Sequence, residues 1–192
     1  MSDDEDPYVY PGTSILRNRL GITDAVFLDK QERSLVVLRA RRDMPRGAFD
    51  LSHLRAIHRH LFQDVYDWVG ELRTVEIAKG DQQFQFRNYI LTGMADVHRR
   101  LVRSRFLKGL SSAQFAEQAS VIVGDINYIH PFREGNGRTQ LQYLRQLAQG
   151  AGHSLDLARI PARRWIEASI SSHSADYGPM AAAIAATLKP AQ

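Results

Sequence analysis

Residues 130–138 read His-Pro-Phe-Arg-Glu-Gly-Asn-Gly-Arg and place several reactive or binding groups in one short run. An imidazole titrates near neutral pH and can take a proton. A carboxylate can hold a divalent cation, an arginine can bond phosphate oxygens, and glycines let the main chain come close to a ligand. A helix-like run over 139–148 follows directly, and the free N–H groups of a helix start attract anions. Together these features suit a polyphosphate ester. Met singly, a His-Pro-Phe or a Gly-Asn-Gly would describe only a polar link between helices with a surface histidine. No other fingerprint competes: the chain has no Gly-x-x-x-x-Gly-Lys-Ser/Thr, no Gly-x-Gly-x-x-Gly after a strand and no His-Glu-x-x-His.

The elements that must hold this run are predicted from periodicity. Phe115, Ala119, Ile122, Ile126 and Ile129 form the core stripe of a helix opened by a Ser111/Gln114 capping box. That helix delivers His130 at its end, where Pro131 prevents continuation. Gly150-Ala151-Gly152 stops the helix that follows. Upstream, Leu54, Ile57, Leu61, Val65 and Trp68 predict a helix from Leu51, with Asp50 or Ser52 as N-cap and Gly70 as terminator. Asp29 and Glu32 have capping-box spacing, which predicts a helix over 30–42. Ile90, Met94, Val97 and Leu101 mark another, capped by Asn88 and ending near Gly109. Short helices are expected over 161–173 and 179–188, each opened by a proline. Between Val75 and Phe86 the period becomes two, around Lys79-Gly80-Asp81-Gln82, and predicts a β-hairpin. Two strands alone are marginal in water, so the hairpin must lean on helices or pair with another chain. The segment 6–12, aromatic and punctuated by proline, is not regular helix.

A length of 192 residues with 44% hydrophobic residues fits one domain with a real core. The expected layout is a single domain over 1–192, with a core at about 51–150, an N-terminal segment over 1–29 and C-terminal helices at about 161–189. No apolar run is long enough to span a bilayer, and the acidic opening residues 1–6 are the opposite of a secretory signal, so the expected location is cytoplasmic, away from membranes. The absence of cysteine excludes disulfides and cysteine-ligated zinc. The net charge of +4 comes from arginine clusters at 39–42, 99–105 and 163–164. These fall on predicted amphipathic helices as solvated faces, and direct nucleic-acid binding is not expected.

The run 130–138 resembles the active-site motif of the Fic proteins, His-x-Phe-x-Asp/Glu-Gly-Asn-Gly-Arg-x-x-Arg, at every fixed position but the last, where Leu141 replaces arginine. The string from Ile57 to Gly70 is similar to the helix before the flap of that family, and the resemblance runs from about Asp6 to about Ile170. It implies an all-α fold, a single Fic-type helical domain with one small β-hairpin as the flap. It also implies transfer of AMP from ATP to a hydroxyl of a target protein. On that resemblance His130 is the general base and Glu134 the Mg²⁺ ligand. Gly135, Asn136 and Gly137 present amides to the phosphates, and Arg138 bonds a phosphate and offsets transition-state charge. Val75, Ile77 and Lys79 in the flap register the target by strand addition, although a hairpin that only covers the core fits the periodicity equally. His58 and Trp68 are expected behind the site, Phe132 as an anchor, and Arg133 toward solvent or a partner.

Family members are commonly silenced by a helix carrying Ser/Thr-x-x-x-Glu. None of the seven glutamates here has Ser or Thr four residues before it. The resemblance is therefore to toxin-like (class I) members restrained by a separate small antitoxin protein that carries the inhibitory helix. Their targets are the B-type subunits of type II topoisomerases, DNA gyrase and topoisomerase IV. Two other readings stand beside it. One is a phosphotransferase moving the γ-phosphate, a branch that departs from Gly-Asn-Gly. The other is a catalytically weakened scaffold acting as a binding module, supported by Leu141 alone.

Overall fold

Seven α-helices and one hairpin are present among the described residues, 6–188, of the computed structural model. They are α1 (Ala25–Ala40), α2 (Leu51–Phe62), the strands β1 (Ala78–Lys79) and β2 (Gln82–Gln83), α3 (Ile90–Arg103), α4 (Ser112–Ile129), α5 (Asn136–Ala151), α6 (Ala162–His173) and α7 (Gly178–Ala185). The all-α class with one hairpin is as expected. The acidic opening residues 1–5 and position 189 lie outside the described residues.

α4 is the axis of the bundle. The Ser111 hydroxyl accepts from the Gln114 N–H, and the Gln114 side chain accepts from the Ser111 N–H, so the predicted capping box is formed. Phe115, Ala119, Ile122, Val123, Ile126 and Ile129 are all buried, and α3, α5, α6 and α7 pack around them. Replacing an aromatic in such a core by alanine costs about 3–5 kcal/mol, so this helix fixes the height of whatever stands at its end. No helix among the described residues is long and apolar enough to cross a membrane.

Three predicted boundaries are corrected. α1 starts at Ala25 with Asp24 as its cap, accepting from the Phe27 N–H, while Asp29 pairs with Arg33 one turn on and Glu32 turns inward. α2 ends at Phe62 instead of running to Trp68. The N–H groups of Val65 and Tyr66 both close on the Phe62 carbonyl, and the Asp64 carboxylate is drawn onto Arg39 of α1. Val65 is nonetheless buried, so the apolar spacing of the sequence continues past the end of the helix. α3 stops at Arg103 rather than near Gly109, because Arg105, Phe106 and Leu107 all take positive φ. Asn88 sits inside the short 3-10 turn Arg87–Tyr89 before α3 and caps nothing.

The hairpin pairs only Ala78 with Gln83 and Lys79 with Gln82, so Val75 lies before its strand. Arg73 explains the short ladder. Its buried guanidinium donates to the carbonyls of Val75, Gln85, Ile129 and His130, and it pairs with Glu76. The base of the hairpin is thereby tied to the end of α4 rather than zipped to itself.

Candidate active site

His130 is the C-cap of α4 in the left-handed region, with φ 47° and ψ 63°. That conformation is uncommon for a side-chain-bearing residue, and Pro131 disfavours the helical alternative before it. Arg73 Nε donates to the His130 carbonyl at 2.8 Å and holds the turn. In the ring, Nδ1–H donates to the Asn127 carbonyl at 2.9 Å, so Nε2 carries the free lone pair. Phe84 of the hairpin stacks on the imidazole with ring centroids 3.8 Å apart. Burial pushes the His130 pKa down to about 4, partly offset by the Asn127 bond, and the ring is neutral at pH 7.

The loop after His130 is fixed by its own backbone needs. Phe132 is buried and stacks on His58, 4.0 Å between ring centres. The Asn136 side chain accepts from the Phe132 N–H at 3.0 Å and donates to the Phe132 carbonyl at 2.7 Å. Its amide is thus consumed inside the loop, and only the main chain of Asn136 is left to meet a ligand. Gly135 has φ 81°, and a Cβ there would come within 2.5 Å of the Phe62 ring, so both conformation and space demand glycine. A Cβ on Gly137 would meet nothing within 4 Å, and the start of α5 is open at that point. His58 stands behind the loop, as expected. It accepts from the Gly70 N–H at Nδ1 and donates from Nε2 to the Glu134 carbonyl at 3.0 Å. Burial lowers its pKa to about 4.

Glu134 is 45% exposed; its Oε1 accepts from the Gly135 N–H and faces Arg138 at 3.4 Å. Arg138 lies 4.7 Å over the Phe62 ring and meets the buried Glu32 at 2.5 Å. Arg133, expected toward solvent or a partner, is bonded to the carboxylate of Asp6 at 2.7 Å. Leu141 packs against the edge of the core.

A cavity of about 530 Å³ lies between the loop, the hairpin and α6. His130, Glu134, Asn136, Gly137, Ile77 and Lys79 come together in its wall, whereas Val75, Gly135 and Arg138 stand outside it. Sequence reasoning missed Arg73, the stacking of Phe84 on His130, and the far wall formed by Trp165, Ser169 and His173 of α6. Among these only Phe84 had a signal, as an apolar residue within the alternating run 75–86.

Helices around a central α4, with a histidine at its end and a glycine-flanked turn into α5, define a class. The profile of the Fic/DOC family matches residues 48–148, and the chain belongs to that family. A relative from Sinorhizobium fredii, described as probable protein adenylyltransferase y4lH, is 44% identical over 181 residues, 94% of each chain. Protein adenylyltransferase VbhT of Bartonella schoenbuchensis is 37% identical; the match covers 93% of this chain but 38% of that longer protein. Among solved structures, BepC of Bartonella tribocorum with bound AMPPNP superposes with a TM-score of 0.90 at 28% identity, covering all of both chains.

Proposed function

We propose that this chain is a protein adenylyltransferase that moves AMP from ATP to a hydroxyl side chain of a protein, with His130 as general base. The observation that carries the reading is the His130 ring. Asn127 holds the proton on Nδ1, and the ring lines the same cavity wall as the open start of α5 at Gly137. The hydroxyl oxygen attacks the α-phosphorus, its proton passes to Nε2, and the bond to the pyrophosphate oxygen breaks. Pyrophosphate leaves, and the target keeps a phosphodiester-linked AMP. The free N–H groups at the start of α5 offset charge on the phosphate oxygens. The AMPPNP bound by BepC and the names of the relatives support ATP as donor.

Mg²⁺ is the metal the family implies, and the residues present fit it. Mg²⁺ is held mainly by phosphate oxygens and water together with one or two carboxylates. Half-exposed Glu134 would supply one such carboxylate from the cavity wall. When bound, the ion would neutralise phosphate charge.

Ile77 and Lys79 would meet the target at the cavity rim, with Val75 setting the base of the hairpin from behind. The Phe84 N–H donates to the Ile77 carbonyl at 3.2 Å, so by antiparallel alternation Ala78 turns its amide to the outer edge, where a target strand could add. The resemblance extends the proposal to a cytoplasmic single-domain toxin that acts on B-type subunits of type II topoisomerases and is restrained by a separate antitoxin. Incubation with bacterial lysate, Mg²⁺ and ATP labelled at the α- or the γ-phosphate tests the reaction. Label from the α position alone means AMP transfer, and label from γ means phosphate transfer.

A further inference from the structure

Glu32 lies on α1, outside the segment that the family profile matches, and its side chain is 7% exposed. A buried carboxylate is costly unless paired, so its partners indicate its use. One oxygen meets Arg138 Nη1 at 2.5 Å, and the other accepts from the Tyr66 hydroxyl. Arg138 is itself awkwardly placed. It stands in the first turn of α5, which contains no acidic residue and where the helix dipole disfavours a cation. Its guanidinium is held by Glu32 at one end, by the Phe62 ring from below, and only loosely by Glu134, at 3.4 Å.

We propose that Glu32 is a positioning residue for Arg138: the Tyr66-braced carboxylate holds the guanidinium over Phe62 and keeps it from closing onto Glu134. Glu134 precedes the N-cap of α5 and already lies 3.4 Å from the Arg138 guanidinium, so without Glu32 the arginine's nearest carboxylate is the one at the cavity wall. The buried pair wins because its charges are closer and less screened by water. Among the described residues the second Glu134 oxygen accepts from no protein donor, which leaves it to the cavity. Tyr66 is a steady brace, since burial and the Glu32 charge push its ionisation far up and keep it a donor. α1 thus completes a site whose other parts come from the matched segment.

The kinetic part of the test rests on the proposed AMP transfer, and the spectroscopic part does not. Transfer is measured with α-labelled ATP and bacterial lysate for wild type, Glu32→Gln, Tyr66→Phe, Arg138→Ala and the Glu32→Gln/Arg138→Ala double variant. Misplacing a charged group by about 1 Å can cost up to about a hundredfold, and we expect Glu32→Gln to lower kcat at least about tenfold with KM for ATP within about threefold. On the Arg138→Ala background the same change should add less than about twofold, because it acts through that arginine. The Arg138 Nε–H resonance should shift in Glu32→Gln and, less, in Tyr66→Phe, which carries the test if Glu32→Gln does not fold. Equal penalties on both backgrounds, faster transfer in Glu32→Gln, or an unmoved resonance would overturn the proposal. If wild type transfers no label, the AMP-transfer reading fails, and the resonance still decides the role of Glu32.

Discussion

The loop 130–138 and the hairpin 78–83 face each other across one cavity, yet they are determined in opposite ways. In the loop nearly every side chain is already spoken for: His130 by Asn127, Phe132 by His58, Arg133 by Asp6, Asn136 by Phe132 and Arg138 by Glu32. The hairpin has two residue pairs, an exposed first strand, and Arg73 gripping its base. Chemistry needs groups held to a fraction of an ångström, and that rigidity comes from many redundant contacts. Recognition of an extended segment needs the reverse, an edge whose hydrogen bonds are still open.

Arg73 joins the two regions, so removing it should blur the comparison most. Arg73→Met strands the carbonyls of Val75, Gln85 and His130, and each charged hydrogen bond lost is worth about 1.5–3 kcal/mol. We expect about 3 kcal/mol less stability in urea unfolding, together with a loss of transfer. Retained stability and transfer would mean that the hairpin is anchored elsewhere.

The support behind the loop can be weakened by acid alone. The folded His58 pKa is about 4 against 6.5 for a free histidine, so between these values the unfolded chain binds the extra proton. The stability His58 supplies is complete above pH 6.5 and is lost as pH falls toward 4, amounting to about 2 kcal/mol by pH 5. Melting curves of wild type and His58→Asn should therefore draw together by about that much from pH 7.5 to pH 5. A gap independent of pH would contradict the neutral, doubly bonded ring.

On the hairpin side, Ala78→Pro removes one outward donor and should lower target modification about tenfold, the weight of one hydrogen bond, while ATP titrations stay unchanged. An equal loss of ATP binding would make the hairpin a cover for the site and not a docking edge.

How far the sequence carried this picture follows the same division. α4 was legible because its signals are local: a capping box at its start, a five-residue apolar stripe along it and a proline after its end. The hairpin was half legible, since alternation marks strands but does not show that a buried arginine stops the ladder at Ala78. Arg73 resembled any other arginine, because its acceptors are scattered over residues 75, 85, 129 and 130. Glu32 had the spacing of a capping residue, and only the packing of α1 against the motif shows its carboxylate on Arg138. The Leu141 departure was plain in the sequence, whereas its packing against the core edge is tertiary.

The central claim is that His130 Nε2 takes the proton of the attacking hydroxyl. It is tested most directly by comparing α-label transfer in wild type and His130→Ala, with ATP affinity measured on the same samples. The account predicts at least about a hundredfold slower transfer at an ATP affinity within a few-fold of wild type. Transfer at the wild-type rate by His130→Ala would contradict it.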